Sequence, residues 1–332
     1  MVITAVKIVV SKRVRYLLKV LFAIISFVLI FCFLQPFFVP KFIKKNAETT
    51  VLINEYFHLD KNCIDVLFLG SSQMFRTVDS TRLNDKYHIN ACNFGASGQT
   101  MSITPYYFDE AIKTQSPKLI AVEVGCIFIK SSELTEKEIA WNYASTPLTD
   151  EKISSLEQTL GNKIKAYEHA FLPLLIYHDR WRTLGENGKP ESQYDIDYVL
   201  NPEKYNSLYP RGFVYSDTVN KVSYDFNSTD TTLKSIPNES KAAIEYLSRE
   251  CREKNIKLIF FKAPAPIWTR GECESVKKYL RKYNLDYLDL NEYSDVISID
   301  DNTDFSDEKH LNTSGATKTT DYLAGILSKY LS

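Results

Sequence analysis

The longest run of apolar positions lies near the start of the chain. From Val20 to Val39 nearly every residue is Leu, Phe, Ile, Val or Ala, and the polar interruptions are Ser26, Gln35 and Pro36. About 20 such residues suffice to cross a bilayer core as a helix. Beyond residue 60 the pattern becomes short apolar runs alternating with longer amphipathic stretches. The runs at 64–69, 89–94, 119–124, 256–261 and 287–290 predict strands. The stretches at 79–86, 103–115, 239–254, 272–283 and 314–330 predict helices, with Asp79 or Ser80, Asn238 and Thr313 as caps. That alternation predicts an α/β fold with a parallel sheet covered on both faces.

The rhythm stops between about 126 and 235. This region has a helical piece at 150–170 and a polar, aromatic-rich piece at 187–235. It reads as a long insertion after the third strand, lying over the sheet's edge or mouth as a lid or substrate wall. The expected organisation is a cytoplasmic tail (1–19), a transmembrane anchor (20–39), a stalk (40–60) and one α/β domain (61–332) that carries the insertion.

Charge refines this picture in one place only. With 40 basic and 41 acidic residues the net charge is −1, which offers neither a basic field for nucleic acid nor an acidic solvating tail. Around the apolar run, Lys7, Lys12, Arg13, Arg15 and Lys19 precede, and Lys41, Lys44 and Lys45 follow. That bias favours a cytoplasmic N-terminus with the remainder outside the cell membrane. A cleaved signal peptide fits less well, because the run is long and ends in Pro-Phe-Phe-Val-Pro, without an Ala-x-Ala-like site. A buried core helix is the third reading. The six cysteines show no CxxC pair and no metal-ligand spacing. The five outside the apolar run cannot all pair with one another. Buried thiols are the expectation, with a single bridge as the alternative. No metal or cofactor site is expected.

In an open parallel sheet the active site lies beyond the C-terminal ends of the strands. Four segments should meet there: Gly70-Ser71-Ser72, Ser97-Gly98-Gln99-Thr100, Gly125, and Asp307-Glu308-Lys309-His310. Gly70 permits a tight turn that leaves Ser72 Oγ exposed. His310 is placed to take its proton, and Asp307 to orient the imidazole. The N–H groups of Ser72 and Gly98 are candidate oxyanion donors. Each motif alone is common in turns, so it is their arrangement, first strand and last loop, that points to chemistry. Lys262, at the end of a central strand, could also approach the site, although a solvated strand-end lysine is the commoner case.

These blocks resemble those of the SGNH/GDSL hydrolase superfamily. The match makes Ser72 the nucleophile and places Ser71 at that family's Asp. It covers about residues 63–125 and 240–330. The resemblance implies a flavodoxin-like three-layer α/β/α sandwich with a central parallel sheet, the SGNH hydrolase fold. The family's third block departs here, because its Asn falls at about Ile127, which cannot donate a hydrogen bond. The N-terminal apolar run, the Gly-Ser-Ser turn and His178-Asp179-Arg180-Trp181 are similar to a membrane-anchored subset of the superfamily. Those proteins serve surface-polysaccharide O-acetylation and teichoic-acid D-alanylation beside a membrane-bound O-acyltransferase. The resemblance therefore implies serine acyl transfer or ester hydrolysis on a cell-surface glycan or teichoic-acid-like polymer. A non-catalytic glycan-binding or scaffold role, and a stand-alone carbohydrate esterase, are the alternatives. Arg180 and Trp181, with Ser71 and Gln99, are the candidate substrate contacts. For Arg180 an ion pair with a carboxylate such as Asp179 competes, and for Trp181 a core position.

Overall fold

The computed structural model describes residues 11–40, 49–182, 196–205 and 208–331. Lys7, Lys41, Lys44 and Lys45, the stretch 41–48 of the expected stalk, and 187–195, 206 and 207 of the aromatic-rich piece lie outside the described residues.

Five strands form one sheet: β1 (Val66–Gly70), β2 (Ala91–Gly95), β3 (Leu119–Glu123), β4 (Lys257–Lys262) and β5 (Asp286–Asp289). All pair in parallel, in the order 2-1-3-4-5. This is one of the two common doubly wound orders. Each predicted strand is present within a few residues of its expected bounds.

Side chains of a strand alternate between faces, and β1 shows the result. Leu67 and Leu69 join one core with Phe94, Ile120, Val122 and Phe260. Val66 and Phe68 join the other with Ala91, Ala121, Ile259 and Phe261. The first face is covered by α5 (Thr104–Ile112), α9 (Asn238–Glu253) and α10 (Arg270–Arg281). The second is covered by α3 (Ser72–Phe75), α4 (Ser80–Tyr87) and α11 (Thr313–Leu331). Both faces of the sheet are therefore buried, which explains why its strands read as nearly continuous apolar runs.

Helix ends follow local chemistry. Asp79 caps α4 by accepting the Arg82 N–H at 2.9 Å. Asn238 and Thr313 are instead the first residues of α9 and α11, and Asn312 Oδ1 accepts the Gly315 N–H at 3.2 Å. The helix expected over 150–170 is two: α7 (Asp150–Leu160) and α8 (Lys163–Phe171). Gly161, at φ 62°, ends the first, and Asn162 caps the second by accepting the Lys165 N–H. With α6 (Glu136–Tyr143) they are three of the helices between β3 and α9.

Two findings concern the N-terminal region. Helix α1 (Lys12–Phe38) is longer than the apolar run itself, and its most apolar window has a mean hydropathy of 2.9 with none of it buried. It is long and apolar enough to span a membrane. Residues 49–58, expected in the stalk, instead form α2 (Thr49–His58). Val51, Leu52, Ile53 and Tyr56 are buried along the β2 edge, and the Tyr56 ring stacks on Phe94 at 3.9 Å. Apolar positions one turn apart made this a packed helix, not a spacer. Truncating Ile53 to Ala should lower unfolding stability by about 2–5 kcal/mol, as for a core aliphatic. Chemical denaturation measures this, and a change within about 0.5 kcal/mol, typical of an exposed site, would return the segment to a stalk.

Candidate active site

The turn that carries Ser72 depends on missing side chains. Gly70 ends β1 at φ 151°, and a Cβ there would lie 2.9 Å from Glu123 Cβ. Gly95, its register partner on β2, would place a Cβ 1.9 Å from the Gly70 carbonyl oxygen. Strands β1, β2 and β3 can close up at this edge only because both positions are glycine. The chain then turns directly into α3, whose first residue is Ser72.

The loop that carries Asp307 and His310 follows β5 and precedes α11. It is closed by an antiparallel bridge between Phe305 and Leu311, both buried. Asp304, fully buried, accepts from the Asp300 N–H at 2.8 Å, Ser314 Oγ at 2.7 Å and Lys318 Nζ at 2.6 Å. The segment between β3 and β4 braces the loop from outside. Asn220 donates its N–H to the Phe305 carbonyl at 2.9 Å and its Nδ2 to the Ser306 carbonyl at 2.5 Å.

These two frames bring residues 238 positions apart into contact. Ser72 Oγ lies 2.8 Å from His310 Nε2. His310 Nδ1 lies 2.9 Å from each oxygen of Asp307. A carboxylate on Nδ1 selects the Nδ1–H tautomer, which turns the Nε2 lone pair toward the serine hydroxyl. Burial alone would raise the Asp307 carboxyl. Its bond and charge attraction to His310, the Lys309 N–H at 2.7 Å and the Arg76 charge outweigh that and hold it below the usual value. The Ser72 and Gly98 N–H groups form no hydrogen bond among the described residues. Gly98 is exposed at φ 68°, with open space where a side chain would be.

Beneath Ser72 lies a polar cluster that the sequence motifs did not announce. Lys262 is fully buried at the end of β4. Its Nζ donates to Gln73 Oε1 at 2.5 Å, to the Ala263 carbonyl at 2.8 Å and to Glu123 Oε1 at 3.2 Å. The other Glu123 oxygen accepts the Gly125 N–H at 2.8 Å. Arg76, 3% exposed, stands one helical turn beyond Ser72 and contributes positive charge to Asp307. For Lys262 the commoner expectation, a solvated strand-end lysine, is overturned by its complete burial. Glu123, Gln73 and Arg76 belong to none of the sequence motifs.

The expected substrate contacts fare differently. Ser71 is only 2% exposed, so its side chain faces the interior. Gln99 is also buried, and it folds its own turn by accepting the Ala96 N–H and donating to Thr104 Oγ1. Arg180 donates to the Phe38 carbonyl at 2.6 Å, at the C-terminal end of α1. Trp181 is 63% exposed, neither core nor in contact with Ser72 or His310, and Arg182 lies over its ring. Ile127 is wholly buried in the core, as an apolar side chain following β3 would be. Burial pushes the thiol of Cys126 beside it up to about 11. Among the described residues Cys273, Glu274 and Glu292 could together approach a metal ion, but both glutamates already pair with Lys277.

No protein-family model matches the chain, and no curated protein sequence matches it. A crystal structure of a Bacteroides fragilis protein, provisionally described as an acylhydrolase, is similar at 12% identity and a TM-score of 0.39. The match covers 84% of this chain and 95% of that one. At that level of similarity, the fold and site of this chain rest on its own geometry.

Two outcomes follow from the charges. Replacing Lys262 by Met strands Glu123 as a buried, uncompensated charge and should cost about 3–5 kcal/mol. The double variant with Glu123→Leu should recover most of that loss in urea unfolding. Asp307 has a lowered folded pKa, so its stabilising contribution is complete above the ordinary carboxylate value of about 3.9 and is lost as pH falls through the lowered one. Asp307→Asn should therefore flatten the acid side of the stability–pH curve, and an unchanged curve would remove the His310 pairing.

Proposed function

We propose that this chain is a membrane-anchored serine acyltransferase or esterase of the SGNH type, with an acyl–Ser72 intermediate. The observation that carries the reading is the unbroken relay from Ser72 Oγ through His310 to Asp307, both bonds within 2.9 Å. As Oγ bonds to the acyl carbon, its proton passes to His310 Nε2 and the carbonyl π pair moves onto oxygen. Collapse re-forms the carbonyl and breaks the bond to the leaving alcohol, whose oxygen takes the proton from His310. An acceptor hydroxyl then repeats the sequence in reverse. A sugar hydroxyl gives transfer and water gives hydrolysis. Asp307 steadies the imidazolium in both steps.

The membrane attachment is supported by α1 and by what surrounds its end. Val39 packs with Ala140 and Tyr177, and Phe38 and Ile176 flank them. Nearby in the chain, Ile164, Tyr167, Phe171, Leu175 and Trp181 are exposed. Such an apolar surface beside an exiting helix suits the lipid headgroup boundary. In this reading residues 1–19 are cytoplasmic and the α/β domain faces the surface polymer. A membrane-bound O-acyltransferase is the proposed donor-side partner, and a glycan or teichoic-acid-like polymer is the acceptor.

A second reading has one observation in its favour. Buried Ile127 supplies no donor where the SGNH pattern has Asn, as in a scaffold that binds glycan without turnover. Assays on the full-length chain in detergent separate the two. Hydrolysis of p-nitrophenyl acetate and labelling by a fluorophosphonate are expected, with turnover falling at least about 10⁴-fold in Ser72→Ala. Labelling that persists in that variant removes Ser72 as the nucleophile. A folded wild-type protein inert to both reagents favours the scaffold.

A further inference from the structure

In the loop after β3 the Ile127 position supplies no side-chain donor, and the side chain of Gln73 reaches into that loop at Gly125. A Cβ on Gly125 would lie 2.2 Å from Gln73 Oε1 and 2.8 Å from its Cδ. The Gln73 carboxamide therefore runs across Gly125, from the residue immediately after Ser72. Its oxygen is bound to Lys262 Nζ at 2.5 Å. An ammonium only donates, so it fixes which end of the amide faces it, and the NH₂ must face away. That Nε2 has no hydrogen-bond partner among the described residues, yet it is not sealed from solvent. The residue as a whole is 7% exposed. An amide held by its oxygen, with its donors unpaired and still reachable, is free to meet an acceptor that arrives during function.

We propose that Gln73 Nε2 is a third oxyanion donor of this site, beside the N–H groups of Ser72 and Gly98. The proposal rests on the serine acyl-transfer reading above. It places the donor missing at Ile127 on the nucleophile's own turn. Lys262 and Glu123 are positioning residues: the ammonium orients the amide, and the carboxylate at 3.2 Å balances its charge. Gly125 is bare because the amide needs the room. No bond to Gln73 forms or breaks. Its N–H donates to the carbonyl oxygen as that atom gains the electron pair.

The test uses the full-length chain in detergent with p-nitrophenyl acetate. Gln73→Ala is expected to lower kcat by about 10²–10³-fold with KM nearly unchanged, the usual effect of losing one such donor. Gln73→Glu keeps the shape and the Lys262 contact but presents an acceptor, and it should lose at least as much. Affinity for a trifluoromethyl ketone, whose Ser72 adduct carries the anionic oxygen, should fall in step with kcat. Thermal unfolding of Gln73→Glu reports whether the fold survives. Wild-type turnover with both variants unimpaired overturns this proposal alone. A fall in kcat without a fall in ketone affinity also overturns it, because the oxyanion would then not be the group affected. A wild-type chain without turnover overturns the serine reading, and this proposal with it.

Discussion

Five strands that pair in parallel must all end on the same side of the sheet. That geometric constraint lets segments from the whole length of the chain share one small volume. Ser72 follows β1, Gly98 follows β2, Gly125 follows β3 and Lys262 closes β4. Parallel pairing alone does not deliver His310, which lies beyond β5 in an irregular loop. The Phe305–Leu311 bridge and the ligated Asp304 carboxylate make that loop firm enough to hold an imidazole 2.8 Å from a serine. Gly70 and Gly95 then set how closely the strand ends approach.

The electrostatics of the site are divided by depth. Glu123 and Lys262 are almost wholly excluded from water and cancel each other at short range. A buried pair of this kind is weak grounds for stability, since its desolvation offsets much of its attraction. Its structural effect is orientation: it holds Gln73 at the start of α3, the Gly125 N–H just after β3 and the Ala263 carbonyl just after β4. Asp307 behaves differently. Its side chain is 45% exposed, so solvent screens its pairing with His310, and its main effect is on tautomer and ring direction.

Much of the sheet was legible because both its faces are buried. Runs such as Val66-Leu67-Phe68-Leu69 have few other uses in a chain of this composition. The relay was legible for a related reason, as Ser, Asp and His fall where strand ends and the last loop must fall. Other features required knowledge of neighbours. Gln99 looks like a polar turn residue open to ligand, but its amide matches the Ala96 N–H and Thr104 hydroxyl of its own loop. Local sequence does not distinguish those cases. Residues 49–58 carry apolar positions at helical spacing, and only the presence of an uncovered β2 edge makes them core. The Lys262–Gln73 contact spans 189 residues, with no motif to mark it.

The segment between β3 and β4 has a mechanical consequence. Ser216 and Thr313 bond to each other through backbone and side chain, Asn220 grips Phe305 and Ser306, and Val222 donates to the Asp301 carbonyl. These stitches begin and end on the stretch that holds the imidazole. The serine follows a strand of the sheet, whereas His310 hangs partly from the appended piece. The same segment is sewn to the serine's side as well, since Val214 donates to the Phe75 carbonyl of α3 and Asn93 of β2 donates to the Gly212 carbonyl, so the alignment of the two depends on how firmly the appendage is held at both.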